Sequence, residues 1–459
     1  MAEELFLSEL HNGSDEISAQ VEEKQPLNCP ENEERRNDFS QLRRMAVVAV
    51  VAALAILEGA CMSLPGPFFP PDGKNHGLTQ SQIGVVAGSL DVSCLFCSFL
   101  VGSLTNPANV KFVSITGTLL CSLTIASFGL LNFMPGSGLY FFLCVITRAI
   151  NGAGVAMTYA MLNPIPVKCF PEKAGLMAGI IQTCFGLGMF SGPIVGSVLI
   201  PVGGYSAPFL FAGVTEALFS LIAYFVFPPD ENSTEKDKNK QSGDFLKFLG
   251  TSSAMSVIVP SVVVFFMSGF RDAAYSLHFH EAIGIDLHSM GFVFVPSAIA
   301  EATAGAVVAI LVDQGWGIGA VLFSQIVTTL TAFAMFLPYF LPKLETTAWA
   351  VLILVVNGLS MDALVNPCYL LIQTIAIKRG AQSIDQVRTF GSMSFIIVMS
   401  SGRILGASVF GGFLNEHLGF YFTSLIYSVF AVITSTWHVI FLARNGLLGK
   451  LYYPTALSN

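Results

Sequence analysis

The sequence predicts an all-α integral membrane protein, with twelve transmembrane helices arranged as two pseudo-symmetric six-helix bundles. Its composition, its long apolar segments and a likeness between its two halves support this fold class. Of the 459 residues, 53% are hydrophobic and 11% are charged, whereas soluble domains carry about 25% charged residues. We therefore expect a lipid bilayer around most of the chain and no nucleic-acid partner.

Twelve segments are long and apolar enough to cross a hydrocarbon layer of ~30 Å, which takes about 20 helical residues. The predicted spans are 44–68, 80–104, 110–133, 138–163, 173–200, 206–228, 250–277, 288–312, 317–341, 346–374, 389–414 and 419–443. The longest polar stretch between them, residues 228–244, divides the spans into six and six. We therefore expect an N-terminal bundle at 44–228, a cytosolic linker at 229–249 and a C-terminal bundle at 250–443.

The distribution of charge predicts the topology. Residues 1–40 hold 11 acidic and 3 basic residues and no apolar signal segment, so residues 1–43 are predicted to form a disordered acidic tail. Sixteen Lys and Arg residues next to the spans lie on the side of the termini, against only Lys74 and Lys343 on the other side. Because short cytosolic loops are enriched in Lys and Arg, we expect both termini, including the tail at 444–459, to be cytosolic.

The two halves of the chain resemble each other. "GLTQSQIG" at 77–84 is similar to "GIDLHSMG" at 284–291, and "GPIVGSVL" at 192–199 is similar to "ASVFGGFL" at 407–414. Transporters built from two such repeats bind their substrates near the middle of the membrane, where the repeats meet. We therefore expect a binding site at the interface between the bundles.

Nine charged residues fall within the predicted spans, where each costs roughly 2.5–3.5 kcal/mol at the bilayer centre unless it has a partner. They are Glu58, Asp91, Arg148, Glu216, Arg271, Asp272, Glu301, Asp362 and Arg403. The acids outnumber the arginines, and an unpaired buried carboxylate avoids its desolvation cost by binding a proton. A carboxylate in a central cavity can thus hold either a proton or a cationic substrate.

The alternative is that the acids pair with the arginines and only hold the helices together. We apply this structural interpretation to Asp91 and Glu216 and also to Arg271. For Glu58, Asp272 and Asp362 we predict a functional role, and we expect these three acids to converge on a central site.

Sequence motifs of several other classes of protein are absent. The chain has no G-x-x-x-x-G-K-[ST] loop and no H-E-x-x-H or G-x-S-x-G pattern, which argues against an ATP-driven pump and an intramembrane hydrolase. The pair Cys94 and Cys97 has no second pair or nearby His, so we interpret both as packing residues. We expect no enzyme activity, no metal and no cofactor, with a proton gradient as the driving force.

Two motifs resemble those of the major facilitator superfamily. "RAINGAG", with Arg148, Gly152 and Gly154, is similar to the R-x-x-x-G-x-G signature on the fourth helix of these transporters. The resemblance implies a structural or gating role for these three residues. It also implies the major facilitator fold.

The second motif lies in the fifth span. "GLGMFSGPIVG", residues 186–196, resembles the G-x-x-x-G-P-x-x-G pattern of the antiporter branch of that superfamily. Gly188, Gly192 and Gly196 form a stripe of small residues that permits close helix contact, and Pro193 is expected to bend the helix.

The membrane region as a whole looks most like the vesicular amine transporters. "GPFFP" at 66–70 and "LILVVNGLS" at 352–360 are most similar to the vesicular polyamine transporter branch. By this resemblance Glu58, Asp272 and Asp362 match three acids that bind the amine or the proton. The family's acid on the eleventh helix is missing.

The sequence departs from the pattern of that family on the eighth and eleventh spans. Ile397 stands where the eleventh-helix acid is expected, and Arg403, nearby on the same span, is assigned a gating role. Glu301 stands five residues after Pro296, where the family has a tyrosine. Glu301 either provides an additional counter-charge for a polyamine or forms an ion pair with Arg271 or Arg403, and the sequence leaves both interpretations open.

The sequence therefore predicts a monomeric proton/organic-cation antiporter that loads a polyamine or a related amine into an acidic vesicle. One alternative is a major facilitator carrier for another small neutral solute or a drug-like cation. The other is a transporter-like sensor that carries nothing. An anion carrier is disfavoured, because the acids in the spans outnumber the arginines.

Overall fold

The computed structural model describes residues 41–104, 110–162, 164–170, 174–227, 252–314, 316–378 and 384–444. The described chain is helical, and the predicted fold class is confirmed. Its longer helices, numbered in chain order, are α1 (Gln41–Ser63), α2 (Pro65–Asn75), α3 (Gln80–Leu104), α4 (Val110–Leu130), α5 (Ser137–Leu162), α6 (Pro164–Cys169), α7 (Ala174–Gly203), α8 (Ser206–Val226), α9 (Ser252–Phe270), α10 (Leu287–Asp313), α11 (Gly317–Phe336), α12 (Thr347–Lys378), α13 (Ile384–Ile404) and α14 (Asn415–Arg444). The predicted linker at 229–249 lies outside the described residues, as do residues 1–40 and 445–459.

Every predicted span coincides with a long helix or a pair of helices. Among the described residues, nine helical segments are long and apolar enough to cross a membrane, and one of them, Ser394–Arg444, covers two predicted spans. The two predicted spans outside this set correspond to α10 and α12, which are 27 and 32 residues long. The chain is thus a multi-pass membrane protein.

The first span departs from the prediction because it is divided and longer. α1 ends at Ser63, and α2 begins at Pro65 and continues to Asn75. Proline suits the first turn of a helix, since it has no N–H to donate and its φ angle is already helical. Pro65 therefore starts a second helix.

Two spans contain π-helical segments. α9 continues beyond Phe270 as a π-helical turn, Arg271–Tyr275, and α13 continues as Leu405–Leu414. A π-helical turn holds an extra residue and so changes the direction in which the following side chains point; such turns are frequent at functional sites. The turn after α9 carries two of the charged residues of the seventh span.

The glycines of the two sequence motifs lie where helix backbones touch. A Cβ added at Gly188 would overlap the carbonyl oxygen of Ile56 on α1, and one at Gly152 would overlap that of Leu90 on α3. Close backbone contact of this kind requires small residues. The motifs therefore bring α7 against α1 and α5 against α3, the helices that carry Glu58 and Asp91.

The two halves of the chain contact each other at the end opposite the termini. The buried Gln80 side chain donates two hydrogen bonds through Nε2, to the carbonyl oxygens of Ala273 at 2.9 Å and Gly411 at 2.6 Å. Ser276 Oγ donates to Gly66 O at 3.2 Å. These bonds hold α2 and α3 against the π-helical ends of the seventh and eleventh spans.

Candidate functional site

A cavity lies between the two halves of the chain. From the first half it is lined by α1, α2, α3 and α5, and from the second half by the seventh and eleventh spans. The lining residues are Met62, Pro65, Gly66, Phe69, Ala87, Asp91, Arg148, Gly269, Asp272, Arg403 and Ala407. Four of them are charged. This is the location predicted from the repeat, and it collects charges from spans that are far apart in sequence.

Arg403 is the centre of the charge network in this cavity. Its Nε donates to both carboxylate oxygens of Asp91 at 3.1 Å, and its Nη2 lies 3.0 Å from Asp272 Oδ2. Its Nη1 donates to Ser268 Oγ at 3.0 Å. Because Asp91 belongs to the first half and Arg403 to the second, this ion pair ties the bundles together across the cavity.

Arg271 extends the network to Glu301. Arg271 Nη1 donates to Glu301 Oε1 at 2.5 Å, and its Nε lies 3.5 Å from Asp272 Oδ1. Glu301 Oε1 also accepts from Ser297 Oγ at 3.4 Å. Of the two interpretations of Glu301, the ion pair with Arg271 is the one seen in this conformation, and contact with a substrate stays a prediction.

Asp272 has a special place in this network. Each of its two arginines holds another acid, Asp91 for Arg403 and Glu301 for Arg271. The Asp272 side chain is 23% exposed, against 2% for that of Asp91. Among the described residues, two carboxylates line the cavity, Asp91 and Asp272. Of these, an incoming cation reaches Asp272 more easily.

Arg148 lines the same cavity and is differently placed. Its Nη1 atom is buried and has no hydrogen-bond partner among the described residues. Its guanidinium lies 5.8 Å from the centre of the Phe128 ring, which is within cation–π range. Arg148 thus has unused capacity to donate a hydrogen bond towards the cavity.

Among the described side chains, the charges around the cavity balance. Asp91 and Asp272 face Arg148 and Arg403, and beyond the lining Arg271 is paired with Glu301. The sequence predicts an excess of acid. The difference arises because two of its acids lie elsewhere and because the side chain of a third, Asp362, is outside the described residues.

Glu58 is one of those two acids. It is 1% exposed and lies inside the first half of the chain, where Cys121 Sγ donates to its Oε1 at 3.7 Å. It is not among the described residues that line the cavity. The expectation that Glu58 and Asp272 converge on one site is therefore not met in this conformation.

Comparison with known proteins gives the family. The sequence pattern of the Major Facilitator Superfamily matches residues 51–397, which is most of the chain. The chain belongs to the Major Facilitator Superfamily.

Its relatives within the superfamily include mammalian transporters. The MFS-type transporter SLC18B1 of Mus musculus is 25% identical over 416 residues, which cover 88% of this chain and 88% of the mouse protein. The Homo sapiens protein of the same name is 26% identical over 403 residues, with 86% of each chain covered. The resemblance to one branch of the superfamily is therefore confirmed over most of the chain, with the MFS-type transporter SLC18B1 as its example.

A solved structure shows the same fold. The crystal structure of a bacterial homolog to the human lysosomal transporter Spinster, inward-facing and unoccupied, superposes with a TM-score of 0.68 at 14% identity. The match covers 90% of this chain and 99% of that one. The major facilitator fold predicted from the fourth- and fifth-span motifs is confirmed.

The other charges of this major facilitator chain are placed as follows. The interpretation of Asp91 and Arg271 as ion-pair partners is confirmed. That of Glu216 is wrong, because it contacts the thiol of Cys61 and no arginine among the described side chains. Asp362 lies on α12, and its side chain falls outside the described residues.

Sequence reasoning missed two features of this major facilitator site. Asp91 was interpreted as purely structural, yet it lines the cavity and joins the bundles. The pairing of Glu58 with Glu216 was also missed, since nothing in the sequence relates two acids in the first and sixth spans. The signal available was only that both are carboxylates in apolar helices.

Proposed function

We propose that this chain is a secondary active transporter that exchanges protons for an organic cation, a polyamine or a related amine, across the membrane of an acidic vesicle. The observation that carries the proposal is the position of Asp272 between Arg403 and Arg271, each of which holds a second acid. A substrate ammonium that takes one of these places leaves every guanidinium with a carboxylate. Binding therefore avoids the cost of a buried unpaired charge, which is several kcal/mol.

A polyamine fits the spacing of the acids better than a monoamine does. Asp272 and Glu301 are held by the same guanidinium, Arg271, and their side chains are 23% and 18% exposed. A second ammonium on the substrate can pair with Glu301 while the first pairs with Asp272. Each desolvated ammonium needs such a counter-charge.

Alternating access requires the inter-bundle ion pair to open. Asp91 and Arg403 hold the two halves together across the cavity in this conformation. Once a substrate ammonium has displaced Arg403 from Asp272, the guanidinium is held by one carboxylate less. On the acidic side of the membrane, proton uptake by a carboxyl group of the chain releases the cation. The protonated carrier then returns and releases the proton on the cytosolic side.

The test is uptake into proteoliposomes that contain the purified chain and are loaded with acidic buffer. Spermine and a monoamine are compared with a neutral sugar. We expect cation uptake that needs the pH gradient and falls to the level of empty liposomes in Asp272→Asn. Glu281→Gln, which removes an exposed acid outside the cavity, is the matched control and retains uptake. Uptake that is equal with and without the gradient contradicts the proposal.

A second candidate substrate class is favoured by Arg148. Its unpartnered Nη1 and the balanced charges of the cavity suit a zwitterion, whose carboxylate pairs with Arg148 and whose ammonium pairs with Asp272. An amino acid added to the same uptake panel distinguishes the two. If the amino acid competes with spermine in the wild type, and this competition is lost in Arg148→Gln while spermine uptake persists, the zwitterion is selected.

A further inference from the structure

Two carboxyl groups meet inside the first half of the chain, away from the cavity. Glu58 on α1 is 1% exposed and Glu216 on α8 is 0% exposed. One carboxylate oxygen of each, together with Cys121 Sγ on α4, lie within 4.8 Å of one another. These three side chains are fully enclosed by protein.

The oxygens of this carboxyl pair are only partly satisfied. Cys61 Sγ donates to Glu216 Oε2 at 3.3 Å, and Cys121 Sγ donates to Glu58 Oε1 at 3.7 Å. Glu58 Oε2 and Glu216 Oε1 are buried and have no hydrogen-bond partner among the residues that the structure describes. Thiols are weak donors, so the two acids lack the donors that a pair of buried carboxylates needs.

No described Lys, Arg or His side chain forms an ion pair with either acid. The other titratable groups that interact electrostatically with Glu58 are the neutral Tyr159 phenol of α5 and the Cys94 thiol of α3. Next to Glu58, α1 contacts the backbone of α7 and not a charged side chain, because Gly59 faces the carbonyl oxygen of Phe185. The negative charge is therefore not neutralised by any neighbouring described group.

We propose that Glu58 and Glu216 bind a proton between them and that this carboxyl pair is the site of the proton that is exchanged for the cation. Two like charges so close together in a medium of low dielectric constant cannot both persist, so one carboxyl group retains its proton. Its O–H then donates to the unpartnered oxygen of the other, which is a strong hydrogen bond because the acceptor is charged. The coupling of this proton to cation transport rests on the proposed function. Proton binding by the carboxyl pair does not.

Helix α1 connects the carboxyl pair to the cavity. Met62 lies one helical turn beyond Glu58 and lines the cavity, as do Pro65 and Gly66 just beyond it. A movement of α1 relative to α8, the helix that carries Glu216, changes the distance between Glu58 and Glu216 and also moves the residues of α1 that line the cavity. When water reaches the pair, the O–H bond breaks, a water molecule accepts the proton, and the bonding electrons stay on the carboxylate oxygen.

The direct test is infrared spectroscopy of the purified, substrate-free protein at neutral pH. We expect a C=O stretching band of a protonated carboxyl group. The band shifts in Glu216→Gln and in Glu58→Gln, because the O–H loses its charged acceptor, and it is lost when both acids are replaced by Gln. It is unchanged in the control Glu281→Gln. Cys121→Ser keeps the acids and puts a stronger donor beside Glu58, so the band is expected to shift even if a Gln variant fails to fold. The absence of the band in the wild type, or its persistence unchanged in these variants, overturns the proposal.

Transport measurements separate this proposal from the proposed function. In Glu216→Gln, exchange of labelled for unlabelled amine at equal pH is expected to persist, while accumulation driven by the pH gradient is lost. If the wild type carries no cation, the proposed function fails and the infrared result still decides proton binding. The same three side chains, Glu58, Cys121 and Glu216, could instead hold a metal ion. Saturable Zn²⁺ binding that is abolished in Cys121→Ser, in a protein without a protonated carboxyl band, overturns the proposed proton pair.

Discussion

Asp91→Asn is expected to shift the conformational equilibrium of the carrier. Asp91 accepts two charge-assisted hydrogen bonds from Arg403 across the bundle interface. Asparagine keeps the shape but removes the negative charge. Arg403 retains Asp272 and Ser268, so the variant is expected to fold.

The size of the shift follows from the contact that is lost. Hydrogen bonds to charged groups contribute about 1.5–3 kcal/mol, and 1.4 kcal/mol is a factor of ten in an equilibrium constant. A loss of about 2 kcal/mol from this conformation alone moves the population roughly 30-fold towards conformations without the Asp91 ion pair. The effect is concentrated in one state, because the two halves must separate at the cavity for it to open.

The assay is the distance between spin labels placed at Ser137 and Lys343, with other accessible cysteines replaced. Ser137 is the first residue of α5, and Lys343 lies in the connection between α11 and α12. Both residues are exposed and belong to different halves of the chain, at the end opposite the termini. In Asp91→Asn we expect the longer-distance population to grow. Glu416→Gln is the matched control, since it weakens another inter-bundle hydrogen bond, Ser81 N to Glu416 Oε2 at 2.7 Å, at an exposed position where ion pairs contribute little.

A distance distribution in folded Asp91→Asn identical to that of the wild type refutes the reasoning. So does an equal shift in Glu416→Gln, because burial of the ion pair is the reason for its larger effect.

Three further substitutions test the packing, the bundle contact and the substrate. Gly188→Ala places a methyl group on the facing carbonyl of α1 and is expected to lower the free energy of unfolding by about 1–3 kcal/mol; Gly186→Ala, which has open space, leaves the thermal unfolding temperature unchanged. Gln80→Ala leaves two carbonyl oxygens across the interface without their donor and is expected to lengthen the same label distance, whereas Gln82→Ala, whose hydrogen bond is exposed, does not. Glu301→Tyr is expected to weaken competition by spermine more than competition by a monoamine, and an unchanged preference contradicts the role of Glu301 as a second counter-charge.

The fold was predictable because a bilayer leaves few choices. Apolar segments of about 20 residues must form helices, since every backbone group has to be bonded internally. The boundaries agree to within a few residues except after Pro65, where helix α2 continues to Asn75. Hydropathy alone does not reveal this continuation, because "PPDGKN" is polar and its helix is stabilised by burial of Phe68 and Phe69.

The site was predictable only in part, because the side chains that meet come from distant parts of the sequence. The charges themselves are visible in the sequence as intramembrane residues, and the repeat locates the interface. Which charge meets which depends on helix rotation, and a π-helical turn at Arg271–Tyr275 changes that rotation. Glu58 matched a family position for amine binding, yet its rotation on α1 directs it towards Glu216.

Exchange of protons for a cation can be measured directly as proton movement that spermine triggers. Proteoliposomes with an acidic interior and a pH-sensitive dye inside receive spermine from outside, with the membrane potential held at zero. Spermine is expected to raise the internal pH in the wild type and in Glu281→Gln but not in Asp272→Asn. Spermine uptake without any change of internal pH, or the same change in Asp272→Asn, contradicts this expectation.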